Sequence, residues 1–136
     1  MPMSDLLVDT NVFIYDLERS SQFHTDAVKI LNSDNSLYTT SKNVSEYFAV
    51  LTKLKVDNNL IWKYYNDIKK NVKILFPAPG SLSIFEHLYN KYLPEGNRIY
   101  DLEVVSIMLY HEIPSLSTFN VRDFQNIDEI ELYEIE

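Results

Sequence analysis

Three consecutive apolar residues between two carboxylates, Asp5-Leu6-Leu7-Val8-Asp9, have the length of a short buried strand, and Thr10-Asn11 supply turn and capping chemistry before the helical run Val12-Phe13-Ile14-Tyr15. Ser20 and Ser21 break that helix and start another, in which Phe23, Ala27, Ile30 and Leu31 recur at helical spacing. Leu37-Tyr38-Thr39-Thr40 is aromatic and β-branched, as a strand should be, and from Ser41 onward Val44, Tyr47, Phe48, Leu51 and Leu54 form the apolar stripe of a longer helix. Residues 58–71 repeat the helical pattern with Leu60, Ile61, Tyr64, Tyr65 and Ile68, and Val72-Lys73-Ile74-Leu75-Phe76 is a third strand stopped by Pro77-Ala78-Pro79-Gly80. Ser81 is the expected N-cap of a helix running to Tyr92, and residues 98–111 form a helix apolar on most of its circumference, which predicts burial on more than one side. Ser115-Leu116-Ser117-Thr118-Phe119 is the fourth strand, Asn120 to Gln125 a turn, and the alternation Ile130-Glu131-Leu132-Tyr133 a possible fifth strand.

Short strands alternating with helices require parallel pairing, because a parallel connection needs a helix-length excursion. The expected fold is α/β: a three-layer α/β/α sandwich around a central, mainly parallel sheet of four to five strands. A length of 136 residues fits one domain with one core, and the chain shows no internal repeat.

Composition removes several chemistries. With no cysteine there is no disulfide framework, thiolate zinc site or cysteine nucleophile, and a reducing, cytoplasmic setting is expected. No apolar run reaches the roughly 18–20 residues that cross a bilayer, and Met1-Pro2-Met3-Ser4-Asp5 does not read as a secretory leader, so no membrane association is expected. The three histidines, His24, His87 and His111, lack ligand spacing. A net charge of −8 argues at first against a nucleic-acid partner. Its distribution changes that reading: residues 1–122 carry 14 acids and all 12 bases, a net of −2, and the remaining six acids lie in the last 14 residues.

In a parallel α/β sheet, strand C-termini and helix N-termini share one edge, where chemistry is usually found. Asp9, Glu46, Asp101, Asn120 and Asp123 all map to that edge. Carboxylates gathered there repel one another unless a hard divalent cation neutralises them, which points to Mg²⁺ or Mn²⁺. Each acid also has an ordinary reading: Asp9 as a helix cap, Asp101 and Glu103 as complements to a helix dipole, Glu46 as a solvated surface acid, and Asp123 in an Asx turn.

Together these segments resemble those of the PIN-domain ribonucleases, in particular the VapC-type toxins of toxin–antitoxin pairs. The resemblance lies in Leu6-Leu7-Val8-Asp9-Thr10-Asn11-Val12, Asn43-Val44-Ser45-Glu46-Tyr47-Phe48, Ile99-Tyr100-Asp101-Leu102-Glu103 and Thr118-Phe119-Asn120-Val121-Arg122-Asp123-Phe124, in that order. It implies a metal-dependent endoribonuclease in which Asp9, Glu46 and Asp101 bind Mg²⁺ or Mn²⁺ directly or through water. Thr10, Asn11, Thr118 and Asn120 would be supporting residues. Where many relatives place a fourth carboxylate, this chain has the neutral Asn120, so either Asp123 completes the catalytic set or the fourth position only forms hydrogen bonds. The resemblance also implies a small antitoxin protein and a homodimer as partners. Lys42, Lys53, Lys55 and Arg122 are candidate phosphate contacts, since they lie near the predicted site segments. The alternative function is a catalytically silent PIN-like binding module.

Overall fold

Leu6, Leu7 and Val8 are all fully excluded from solvent, which a strand achieves only when both faces of its sheet are covered. The computed structural model describes residues 4–135; the expectation about an amino-terminal leader rests partly on Met1 to Met3, and one charge of the acidic tail on Glu136, all outside that range. In chain order the elements are β1 (Asp5–Val8), α1 (Thr10–Leu17), α2 (His24–Leu31), β2 (Ser36–Thr40), α3 (Ser41–Lys53), α4 (Asn58–Asn71), β3 (Val72–Leu75), α5 (Pro79–Tyr92), α6 (Arg98–Tyr110), β4 (Ser115–Ser117), α7 (Val121–Phe124) and β5 (Glu131–Leu132). The five strands form one sheet in the order β3-β2-β1-β4-β5, and every neighbouring pair is parallel. The predicted α/β/α architecture is therefore observed, with the fifth strand present and pairing β4 through Glu131 and Leu132.

Alternate side chains of β1 enter different cores. Leu7 packs with Leu88, Leu102, Val105, Met108 and Leu116 beneath α5 and α6, whereas Leu6 and Val8 pack with Val12, Phe13, Ala27, Tyr47 and Ile61 beneath α1 to α4. Helix α6 buries Leu102 and the unbroken run Val104 to Met108, because the sheet covers one side of it and α5 another. Gly80 lets these two helices approach: a Cβ there would overlap the Tyr110 ring. Gly80→Ala is expected to destabilise the fold by about 1 kcal/mol, the low end of overpacking because the half-exposed ring can yield. Urea denaturation checks this, and the cost should vanish in a Tyr110→Ala background.

Three local expectations are corrected. Helix α1 begins at Thr10, so Thr10 and Asn11 are its first turn, and Asp9 is the cap, its side chain accepting from the Thr10 N–H. Ser81 is not the cap of α5: with Pro79 at the first helical position, Ser81 stands inside the first turn, where its hydroxyl accepts from the Ala78 N–H at 2.8 Å. The turn expected over Asn120 to Gln125 contains the short helix α7, whose Phe124 is buried in the α5–α6 core.

One backbone feature adjoins the candidate site. Leu93, at the end of α5, adopts the left-handed conformation (φ 47°, ψ 52°), which costs an ordinary L residue roughly 1–2 kcal/mol and is usually left to glycine.

Candidate functional site

Asp9 ends β1 at the centre of the sheet, and its carboxylate is almost wholly buried. Both oxygens are held. Oδ1 accepts from the Thr10 N–H at 2.9 Å and from Asn43 Nδ2 at 3.1 Å; Oδ2 accepts from the Thr118 hydroxyl at 2.7 Å and, at longer range, from Asn11 Nδ2 at 3.4 Å. The holders are themselves fixed. Asn43 Nδ2 also donates to Thr10 Oγ1 at 3.0 Å, and Asn43 Oδ1 accepts from the Thr40 N–H and hydroxyl, a capping box that starts α3. Asn11 Oδ1 accepts from the Phe119 N–H at 3.2 Å and its amide donates to Thr118 Oγ1 at 3.2 Å, which ties α1 to the segment after β4. Asn120 contributes its backbone N–H to Thr118 Oγ1 at 3.0 Å.

Burial raises the Asp9 pKa above its ordinary value despite the bonds from Thr118 and Thr10, and the nearby charge of Glu46 adds to the rise. For Asp101, in the first turn of α6, burial comes first and the charges of Asp123, Asp9 and Glu46 follow, pushing the carboxyl up to about 7, while Arg98 opposes them. Four acids from four separate segments therefore act on one another at the carboxyl edge of the sheet. Glu46 is solvent-exposed on α3, as its helical position predicts, yet it faces this cluster.

The cationic candidates divide. Lys42 stands at the rim, 3.6 Å from Glu103 Oε1 and 4.2 Å from the centre of the Tyr100 ring. Arg122 is exposed on α7, beside the cluster, and its carbonyl accepts from Arg98 at 3.3 Å. Lys53 and Lys55 are not near the site: α3 starts at the carboxyl edge and runs away from it, which puts Lys53 about 18 Å along the axis from Ser41. Proximity in sequence to Glu46 is undone by the length of the helix. Two further residues join the site without a signal of that role in the sequence. Asn43 carries a capping signal, Thr40-x-x-Asn43, but its amide turns inward to Asp9. Arg98, 3.7 Å from Asp123 Oδ1, stands one helical turn before Asp101 on the same face of α6.

The donor chemistry suits a hard cation: the groups are carboxylate oxygens whose charging is opposed first by burial and then by one another's charge, and a cation among them would offset both. Among the described residues no three of them stand close enough to hold one ion between them. The set fits an ion that keeps part of its water shell and takes one or two carboxylates directly, the usual habit of Mg²⁺. No helix among the described residues is long and apolar enough to cross a membrane.

A parallel α/β sheet with acidic residues converging at its carboxyl edge defines a class of protein built to act at that edge. A model of the PIN domain matches residues 6–130, and the chain belongs to the PIN-domain family. Solved structures share the fold at low identity. A chain of VapBC2 from Rickettsia felis, bound to a DNA fragment from its promoter, has a TM-score of 0.72 at 17% identity, over 97% of this chain and 99% of that one. A toxin–antitoxin complex from Klebsiella pneumoniae gives 0.69 at 18%, over 96% and 99%. VapC20 from Mycobacterium tuberculosis, described as a sarcin–ricin loop cleaving toxin, gives 0.70 at 14%, over 88% and 93%. No curated protein matches the chain.

Proposed function

We propose that this chain is a divalent-metal-dependent endoribonuclease that hydrolyses RNA phosphodiester bonds at the carboxyl edge of the sheet, and that it is the toxin of a toxin–antitoxin pair. The observation that carries the reading is the convergence of Asp9, Glu46, Asp101 and Asp123 from four segments on one edge of the sheet, where burial and then the neighbouring acids push Asp101 up to about 7; carboxylates so costly to charge are what a cation site presents. Asp9, Glu46 and Asp101 would hold Mg²⁺ or Mn²⁺ directly or through water. Asp123 would fill the fourth position; in support, its charge acts on Asp101, whereas Asn120 meets the site through its backbone N–H to Thr118. When bound, the ion supplies a more acidic water and offsets charge on the phosphoryl oxygens. Thr10, Asn11, Asn43 and Thr118 keep the Asp9 oxygens in place, and Asn120 braces Thr118. Lys42 and Arg122 lie where RNA phosphates would pass.

The family match and the toxin named in the description of the Mycobacterium tuberculosis relative support RNA as substrate; the complexes from Klebsiella pneumoniae and Rickettsia felis support an antitoxin as partner. The family resemblance also motivates a homodimer. Purified protein incubated with structured RNA should cut it in Mg²⁺ or Mn²⁺ and not in EDTA. Glu46→Gln, at an exposed position, should lower the rate on the order of 10²-fold with no loss of melting temperature, since it removes a charge that opposes those of Asp9 and Asp101. Equal cutting in EDTA, or none by the unaltered chain across several RNAs and both metals, would reject the mechanism, and the latter result favours a binding module.

A further inference from the structure

Beside the carboxylates lies a cavity of about 440 Å³, walled by the turn joining α5 to α6 and by the segment from α7 to β5; it falls within the roughly 300–1,000 Å³ range of small-molecule sites. Its lining joins Asp101 and Asp123 to Arg98, Asn126 and a further acid, Glu95, with Leu93 and Pro94 as apolar surface. We infer that this cavity seats the nucleotide adjoining the scissile phosphate, with Arg98 on the backbone phosphate and the base against Leu93 and Pro94, so that it selects which base is found beside the cut. The inference rests on the nuclease reading and adds to it a specificity-determining subsite.

Three observations converge. Leu93 occupies the left-handed region immediately before a proline, a doubly unfavourable place for a leucine. The protein gains no core packing from it, because the residue is 64% exposed. Lys55 and Glu112 take the same conformation just after α3 and α6, but only Leu93 precedes a proline and lines the cavity, so its strain falls where a ligand would meet it. The walls, moreover, are tied together. The Tyr92 hydroxyl donates to Glu129 Oε1 at 2.5 Å and accepts from the Asp128 N–H at 2.9 Å, and Lys91 reaches Glu129 Oε2 at 2.8 Å. This fixes a cavity ahead of any ligand, the condition for selecting one base shape over another. Arg98, finally, is half-exposed and held by the Arg122 carbonyl and Asp123, contacts that leave most of its five N–H donors open to a phosphate. It stands one helical turn before Asp101 and lines the same cavity as Leu93 and Pro94. Single-stranded RNA is read in this way, by splayed bases laid against side chains beside a phosphate contact.

The test measures binding of labelled RNA tetranucleotides in Mg²⁺, intact or abasic at one position in turn, in a Glu46→Gln background that spares the RNA. Leu93→Gly should raise the melting temperature by relieving the backbone, yet weaken binding of the intact oligonucleotide and leave binding unchanged for the one whose missing base belongs in the cavity. Gain of stability with loss of base-dependent affinity is a pairing that a purely structural role of Leu93 does not produce. Arg98→Ala should weaken all the oligonucleotides alike and reduce the slope of log affinity against log salt by about 0.7. Variants that bind every oligonucleotide as the background does, or a background that binds none, overturn the subsite. Binding that follows the expected pattern without cutting by the unaltered chain overturns the nuclease reading alone; cutting with identical base preference in the unaltered chain and Leu93→Gly overturns the subsite alone.

Discussion

Asp101→Asn is expected to make the metal-free protein more stable at pH 8 and to abolish RNA cleavage. A carboxyl whose folded pKa lies near 7, against an ordinary 3.8, holds its proton more tightly in the folded chain than in the unfolded one. Below about pH 3.8 both states are protonated and the group costs nothing. As the pH rises from there through 7, folding has to accommodate a charge that burial and three neighbouring acids oppose, and stability falls. Above 7 the full cost is present, about 2 kcal/mol once solvent screening of this half-buried group is discounted. Asparagine removes the charge and keeps the shape, so the melting temperature of the variant should exceed that of the unaltered chain by about 6 °C at pH 8 and match it at pH 4. Saturating Mg²⁺ should raise the melting temperature of the unaltered chain more than that of the variant. Equal melting temperatures at pH 8 would show that Asp101 is not under the strain its neighbours impose.

Asp9→Ala is expected to act in the opposite direction on stability while also ending cleavage. Asp9 is the common acceptor of the Thr10 N–H, the Asn43 amide and the Thr118 hydroxyl. Alanine leaves these buried donors without a partner and uncaps α1, at a cost of about 3–5 kcal/mol. Because burial raises the Asp9 pKa, the neutral carboxyl is the form that the fold accommodates better. The unaltered chain therefore loses stability as the pH rises above the ordinary carboxyl value, and the cost of the substitution should be larger at pH 4 than at pH 8. Urea denaturation at the two pH values measures both quantities. A cost under 1 kcal/mol would mean that the network around Asp9 is dispensable. Two acids proposed for one site thus have opposite relations to the fold: Asp9 is built into it by hydrogen bonds, and Asp101 is held there against burial and the charge of its neighbours.

Periodicity was enough to place the elements, because each helix and strand carries its own apolar stripe or run: residues 58–71 form α4 at the predicted limits, and the circumferential apolarity of the 98–111 segment matches its burial between the sheet and α5. Parallel pairing then follows from the length of the connections, and with it the convergence of Asp9, Asp101 and Asp123 on one edge. The ends of helices were less legible. Whether Ser81 caps α5 or sits inside its first turn depends on Pro79, whose fixed φ starts the helix earlier.

The sequence by itself determined which residues could meet, since strand order and helix direction confine the acids to the carboxyl edge. Only the tertiary structure decided what each of them experiences there. Glu46 lies on the solvated face of its helix by any count of spacing, yet α3 starts directly from the end of β2, and the Glu46 charge bears on Asp9 and Asp101. Lys53 and Lys55, close to Glu46 in the chain, are carried to the far end of α3. Arg98 acquires its significance from α7, which supplies Arg122 and Asp123 from across the fold. Charge acts through distance and burial, and both are properties of the packed chain, so a formal count of −8 could not show that part of the acidity is a cluster whose members hinder one another's ionisation.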